Sequence, residues 1–263
     1  MNTGANSTLR MRIRRGEIQG PTSGMAPGFV QCNIVIVPLE YAEDFQRFCQ
    51  QNPKPCPLLA TNPTPGAVEL PKLAADIDIR TDLPRYRLWQ HGECVEEPND
   101  VRSHWRDDAV VFALGCSFSF EEALTRAGIE MRHITQGCNV PMYRTDKACA
   151  RAGVFSGNLV VSMRPLAPED VERARDICAD YPGVHGAPIH AGDPAALGIL
   201  DINSPDFGDA VNIKANETTV FWACGVTPQI ALEHARLPWA ITHAPGHMLV
   251  TDTLNTDLAV TSP

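Results

Sequence analysis

The sequence predicts an α/β protein, and three observations carry that assignment. Apolar, β-branched runs such as VQCNIVIVP (30–38) and NLVVSMRPL (158–166) have the character of buried strands. LEYAEDFQRFCQQN (39–52) has helical spacing, with Tyr41, Phe45 and Phe48 on one stripe. Segments of the two kinds alternate along the chain, as α/β architectures require. With 263 residues and 44% hydrophobic content, the chain is long enough to bury a sizeable core.

The elements follow in order. TLRMRIRRG (8–16) predicts a short helix with a basic face, and GPTSG (20–24) a polar loop, either a lid or a turn. After the first strand and helix, residues 53–80 are rich in proline and exclude regular helix. YRLWQHGECVEE (86–97) predicts a hairpin turning at His91–Gly92. VVFALGCSFSFEEAL (110–124) starts as a strand and ends as a helix, and IEMRHITQGCNVPMYRTDKACARAG is expected to be mostly loop. The strand at 158–166 and a helix over 167–181 come next, the latter with Pro168, Glu169 and Asp170 at its start. HGAPIHAGDPAALGI (185–199) predicts strand, turn and short helix, and VNIKANETTVFWACG a hairpin ending in a buried strand. TPQIALEHA is a helix, and LPWAITHAPGHMLVTD closes with strand and turns. Breaks near 130 and 195 divide the chain into a main α/β unit (1–129 and 196–263) and a smaller inserted α+β unit (130–195).

Composition narrows the partners. The net charge of −9 disfavours nucleic acid, whose phosphates an acidic surface repels. No apolar run reaches the ~20 residues of a membrane-spanning helix. The basic first residues lack the apolar stretch of a secretory signal, so a cytoplasmic location is expected. Nine cysteines without a Cys-x-x-Cys spacing suggest buried thiols, with neither a disulfide framework nor a structural zinc site.

Two strand-to-helix turns draw attention. In the first, Gly115, Cys116, Ser117 and Ser119 precede Glu121 and Glu122. Ser119 and Glu122 have the spacing of a capping box, which explains those residues but not the small residues before them. A small-residue turn delivered onto a helix start also forms an anion site. The second turn, VFWACGVTPQ, repeats the device with Cys224 and Gly225, and with Thr227 as N-cap before Pro228. In a parallel sheet, strand ends of this kind converge on one crevice.

Other candidates are more scattered. HGAPIH and THAPGH place His185, His243 and His247 on turns, and the late histidines are compatible with a metal but lack the spacing of a zincin helix. Packing is the commoner role for cysteines after a strand, although a thiol at a helix start has a lowered pKa and can act as a nucleophile, which keeps Cys116 and Cys224 as candidates. Arg80 and Arg85 in DIDIRTDLPRYR, and Tyr143 and Arg144 in NVPMYRT, are candidate carboxylate clamps beside their alternative as solvated loop residues.

NPKPCPLL, DIRTDLPRYR, LGCSFSFEEAL, NVPMYRT, LVVSMRP, HGAPIHAGDPAALGI, DFGD, VFWACGVTPQ and ITHAPGHMLVTD together resemble a hydro-lyase family, also called the D-glutamate cyclase family after a mammalian mitochondrial enzyme with a related region. The resemblance covers about residues 8–258. It implies a three-layer αβα sandwich with a smaller two-layer α+β unit, and a carbon–oxygen lyase that cyclises D-glutamate to 5-oxo-D-proline or runs the reverse reaction. Such a reaction needs a base for the ammonium, an acid for the leaving oxygen, donors for the oxyanion and a clamp for the untouched carboxylate. The expected assignments are His243, His247 and His185 for proton transfer, with Ser117 and Cys116 at the reacting centre. Ser119, Arg80, Arg85, Tyr143, Arg144, Cys224 and Thr227 are expected to bind the substrate. The expected partner is a small carboxylate or amino acid, with no cofactor or metal required and a homo-oligomer allowed. The alternatives are a non-catalytic carboxylate-binding module and a metal-dependent hydro-lyase.

Overall fold

The computed structural model describes residues 3–260. Residues 1–2 and 261–263, the two ends of the expected main unit, lie outside the described residues. The first half of the chain contains α1 (Thr3–Arg14), β1 (Phe29–Pro38), α2 (Leu39–Gln51), β2 (Leu58–Thr61), β3 (Tyr86–Gln90), β4 (Glu93–Glu96), β5 (Ala109–Gly115) and α3 (Phe118–Arg126). The second half adds α4 (Arg132–Thr135), β6 (Met142–Ala148), β7 (Asn158–Leu166), α5 (Asp170–Ala179), β8 (His190–Ala191), β9 (Thr218–Ala223), α6 (Thr227–Ala235), β10 (Ala240–His243) and β11 (Leu249–Leu254).

The fold is mixed α/β, but its sheets are antiparallel where parallel strands were expected. One sheet has the order β2-β5-β1-β10-β3-β4, with β11 also paired to β1. The other has the order β6-β7-β9-β8, and every pair in both runs antiparallel. Apolar strands flanked by helices look alike in sequence whichever way they run, because both faces are buried. The second sheet reaches beyond 130–195, since β9 pairs with β7 and β8.

Strand β1 is the centre of the first sheet. Val30, Cys32, Ile34 and Ile36 face one cluster with Leu73, Ile79, Val111 and Leu249. Val35 and Val37 face another, where Phe45 and Phe48 of α2 meet Phe112 and Phe155. The period-2 alternation of strand side chains produces this division. In the second sheet, Val161, Met163 and Phe221 face the segment carrying Leu197, Ile199 and Val211. Leu166, Val220 and Trp222 pack with α3 and α5 through Phe120, Leu124, Ala174 and Cys178.

Several local expectations are revised. The segment expected to be mostly loop contains α4 and β6, and the Pro-rich segment contains β2. Before β9 there is no partner strand in 211–217, so the predicted hairpin there is a single strand. The basic face of α1 is partly turned inward. Arg10 is fully buried and pairs with Asp76 and Asp252, and Arg14 pairs with Asp82. All nine cysteines are free thiols.

Candidate functional site

The two strand-to-helix turns meet. A pocket of about 20 Å³ is lined by Cys116, Ser117 and Phe118 from the first turn and by Cys224, Gly225 and Val226 from the second. Asn33, Asn139, His185, Gly246 and Met248 are also among its walls. The convergence expected of parallel strands is achieved here by antiparallel ones from two different sheets. Asn33 stands at the joint: its Nδ2 donates to the Gly115 carbonyl at 2.8 Å, and a Cβ on Gly225 would collide with its side chain. Gly115 has a similar reason to lack a side chain, since a Cβ there would strike the backbone of Gly183 and Val184. That close approach brings the 182–186 loop, and with it His185, against the first turn.

His185 is held in an unusual conformation. Its φ is 83°, a left-handed value that non-glycine residues seldom adopt. Its Nδ1 lies 2.6 Å from the Lys54 carbonyl oxygen. A carbonyl can only accept, so Nδ1 carries the hydrogen and Nε2 keeps its lone pair. Burial pushes the imidazole down to about 4, and the charge of Arg164 adds to the effect. At neutral pH His185 is therefore an uncharged proton acceptor.

The turns themselves differ from the anticipated caps. Ser117 is the N-cap of α3, without a side-chain capping bond. Ser119 already lies inside the helix, with its buried Oγ unpartnered. Glu122 does not reach back to it: its Oε2 accepts the Gly28 N–H at 2.7 Å and the Asn255 amide at 2.8 Å. Thr227 is the first residue of α6, and its Oγ donates to the Cys224 carbonyl at 2.7 Å while accepting the Val160 N–H at 3.0 Å. It fastens α6 to β7 and does not line the pocket. The Phe118 and Val226 N–H groups are directed at the sulfurs of Cys116 and Cys224, two residues back in each case. Burial outweighs those hydrogen bonds, so the thiols are pushed up to about 12 and about 11. Both stay protonated at neutral pH, which removes the expected thiolate nucleophile and leaves two weak donors.

Behind Ser117 lies a charged network that sequence reading missed. Arg164 is fully buried on β7. Its guanidinium donates to Ser117 Oγ at 3.0 Å, to Ser162 Oγ at 3.0 Å and to Glu121. Glu121 also meets His133 Nε2 at 3.3 Å. Burial alone would raise the Glu121 carboxyl, but Arg164 and His133 more than offset it and hold the group down to about 2. The rings of Phe120 and Trp222 lie 5.3 and 5.1 Å from the guanidinium carbon. Because Ser117 Oγ accepts from a cation, its own O–H is polarised for donation. The signal in the sequence was a charged residue within an otherwise apolar strand, LVVSMRPL; Asn33 within VQCNIVIVP is the same signal.

The remaining expected residues lie elsewhere. His243 is fully buried between strands, with Nδ1 3.1 Å from the Ile34 nitrogen and 3.2 Å from its oxygen. Its Nε2 is buried without a partner, and burial lowers the ring to about 4. His247 binds the Pro245 carbonyl at 3.0 Å, and burial lowers it as well. Neither ring lines the pocket. Arg80 is paired with Asp78 and Arg144 with Glu233, so both forks are occupied. The Tyr143 hydroxyl donates to the Ile202 carbonyl at 2.6 Å. The Arg85 carbonyl accepts the Ala244 N–H, and its side chain is half-buried outside the pocket. Among the described residues, no group of three or more His, Cys, Asp or Glu side chains is arranged to hold a metal ion. No helix among them is long and apolar enough to cross a membrane.

Residues 110–252, which contain both turns and His185, match the D-glutamate cyclase family model. This chain belongs to that family. A relative from Bordetella pertussis named "putative hydro-lyase" is 59% identical over 256 residues, 97% of this chain and 92% of the relative. Relatives under the same name from Bradyrhizobium diazoefficiens and Burkholderia cenocepacia are each 58% identical, covering 95% and 97% of this chain and 92% and 98% of their own. A nitrogen repressor-like protein from Methanococcus jannaschii superposes with a TM-score of 0.37 at 10% identity, over 92% of this chain and 96% of that one.

Proposed function

We propose that this family member is a lyase that removes water from, or adds it to, a small carboxylate, and that it works at the pocket between the two turns. The observation that carries the reading is the tautomer of His185. Its Nδ1–H is committed to the Lys54 carbonyl, so the ring presents a base and not an acid. The Ser117 hydroxyl, polarised by Arg164, is the matching donor. An anionic substrate in the pocket favours the imidazolium and raises the ring's pKa from its empty-site value.

The family name makes D-glutamate and 5-oxo-D-proline the first compounds to examine. In the cyclising direction, His185 Nε2 accepts a proton from the ammonium. The freed amine attacks the side-chain carboxyl carbon, and the C–N bond forms. The oxyanion takes the Ser117 hydrogen bond, the attacking nitrogen gives its second proton to the solvent, and the departing oxygen leaves as water with one proton returned from His185 and one from the solvent. The proton transfer expected of His243, His247 and His185 thus falls to His185 alone, and the oxyanion contact to Ser117 backed by Arg164.

The test is proton NMR of both compounds with metal-stripped protein and with His185→Gln. Interconversion by the parent chain and its loss in the variant support the reading. Binding without conversion favours a carboxylate-binding module, and activity that returns only with an added divalent metal favours a metal-dependent hydro-lyase. Gel filtration of the same sample addresses whether the protein works as a homo-oligomer.

A further inference from the structure

A pocket of about 20 Å³ has room for one water-sized group, whereas ligand sites usually span ~300–1,000 Å³. The reactive groups therefore border a space too small for a whole substrate. A second cavity of about 220 Å³ adjoins it, and Phe118 lines both. The Phe118 side chain packs only with Cys116 and Met248 in its apolar cluster, and both of those line the polar pocket. Phe118 is the one lining residue that the two spaces share.

The two spaces have opposite chemistry. The second cavity is walled mainly by Ala26, Pro27, Phe29, Phe118, Thr125 and Ile134. Two carboxylates also border it, and both are already engaged: Glu121 by Arg164 and His133, Glu122 by Gly28, Asn255 and Arg126. Their negative charge disfavours an anionic group in the cavity. The cavity roof is also joined to the pocket wall. Thr22 of the same loop takes its N–H to the Gly246 carbonyl at 2.9 Å, and its hydroxyl accepts the Met248 N–H at 3.0 Å. The larger clefts at Arg87–Glu97 and at Asn6–Phe29 share no residue with the polar pocket.

We propose that the cavity beyond Phe118 receives the apolar part of the substrate, whose carboxylate end lies at Ser117 and His185. The inference rests on the pocket being the reactive site. It assigns the substrate class as a carboxylate bearing a hydrocarbon portion, ring or chain, with Phe118 and the 24–29 loop setting its permitted size.

Calorimetry of the full chain with acetate, butanoate and hexanoate tests it. Each added methylene is expected to tighten Kd by up to about 4-fold until the cavity is filled. Ala26→Trp, which fills the cavity from its roof, is expected to abolish that dependence and leave acetate binding unchanged. Ile134→Trp fills it from a partly exposed position and serves if the first variant does not fold. A flat series in the parent chain, no binding by any of the acids, or a dependence that survives both substitutions would overturn the proposal. The readout is binding, so it is separable from the reaction. Loss of turnover with the length dependence intact would sink only the lyase reading, and turnover with a flat series would sink only this one.

Discussion

His185 and His243 share most of the properties by which a buried histidine is described. Each is almost wholly shielded from solvent, each is pushed down to about 4 by burial, and each sets Nδ1 against main chain. They differ in what that main chain is. His185 meets a lone carbonyl, which fixes the tautomer and leaves Nε2 as the lone-pair nitrogen of a ring lining the pocket. His243 sits between the nitrogen and oxygen of Ile34, where β1 passes from pairing with β10 to pairing with β11. It completes a gap in a sheet. A depressed pKa reports desolvation in both cases and does not separate a reactive ring from a packing one. The partner of the first nitrogen and the surroundings of the second make the distinction.

Substitutions can break that comparison, and the largest effect is expected at His185. His185→Gln should lower turnover by ~10²-fold or more, as for loss of a general base, in steady-state kinetics on whichever acid is converted. A variant with near-parental kcat would remove His185 from the reaction. Acid stability should then show the two rings behaving alike. Between about pH 6.5 and 4 the unfolded chain binds protons at His185 and His243 that the folded chain refuses, so stability falls as pH falls through that window. Each ring contributes on the order of 3 kcal/mol to this loss. Urea melts from pH 7.5 to 4.5 should show a shallower decline in either His→Gln variant, and an unchanged slope would mean that the rings are not desolvated.

His243→Ala is expected to cost about 1–3 kcal/mol in urea unfolding at pH 7.5, because it strips a partner from buried Ile34 backbone. Activity per folded molecule should persist, and its loss would return His243 to the reaction. The smallest effect belongs to Arg144→Ala. Its ion pair with Glu233 is 42% and 27% exposed, so the change should stay within ~1 kcal/mol and leave substrate KM alone. A large rise in KM would restore Arg144 as the carboxylate clamp.

Much of the fold was legible in the sequence because burial and periodicity are local. The strands at 29–38, 86–96, 109–115 and 158–166, and helices α2, α3, α5 and α6, lie close to their predicted places. Strand direction was not legible, since Val and Ile on two buried faces read the same either way. At the site, the paired Cys-bearing turns were visible because each combines an apolar strand, small residues and a helix start. Arg164, Asn33 and Phe118 were passed over because their importance comes from cross-chain contacts: Arg164 with Ser117 over 47 positions, Asn33 with Gly115 over 82. His243 and His247 drew attention through their place in THAPGHM, yet it is Gly246 and Met248 of that stretch, and neither ring, that line the pocket.

The pairing of β1 has a consequence for how the protein comes into being. Residues 29–38 hydrogen-bond to 240–243 and to 249–254, more than 200 positions away, and Gly246 and Met248 between those strands complete the pocket. Contacts of such long range are slow to form, and during synthesis at ~5–20 residues per second the chain must wait for its last strands. Until β11 leaves the ribosome, β1 lacks hydrogen-bonding partners along half of one edge. A chain released early would carry that open edge with it. Assembly of the sheet and completion of the pocket are therefore one late event.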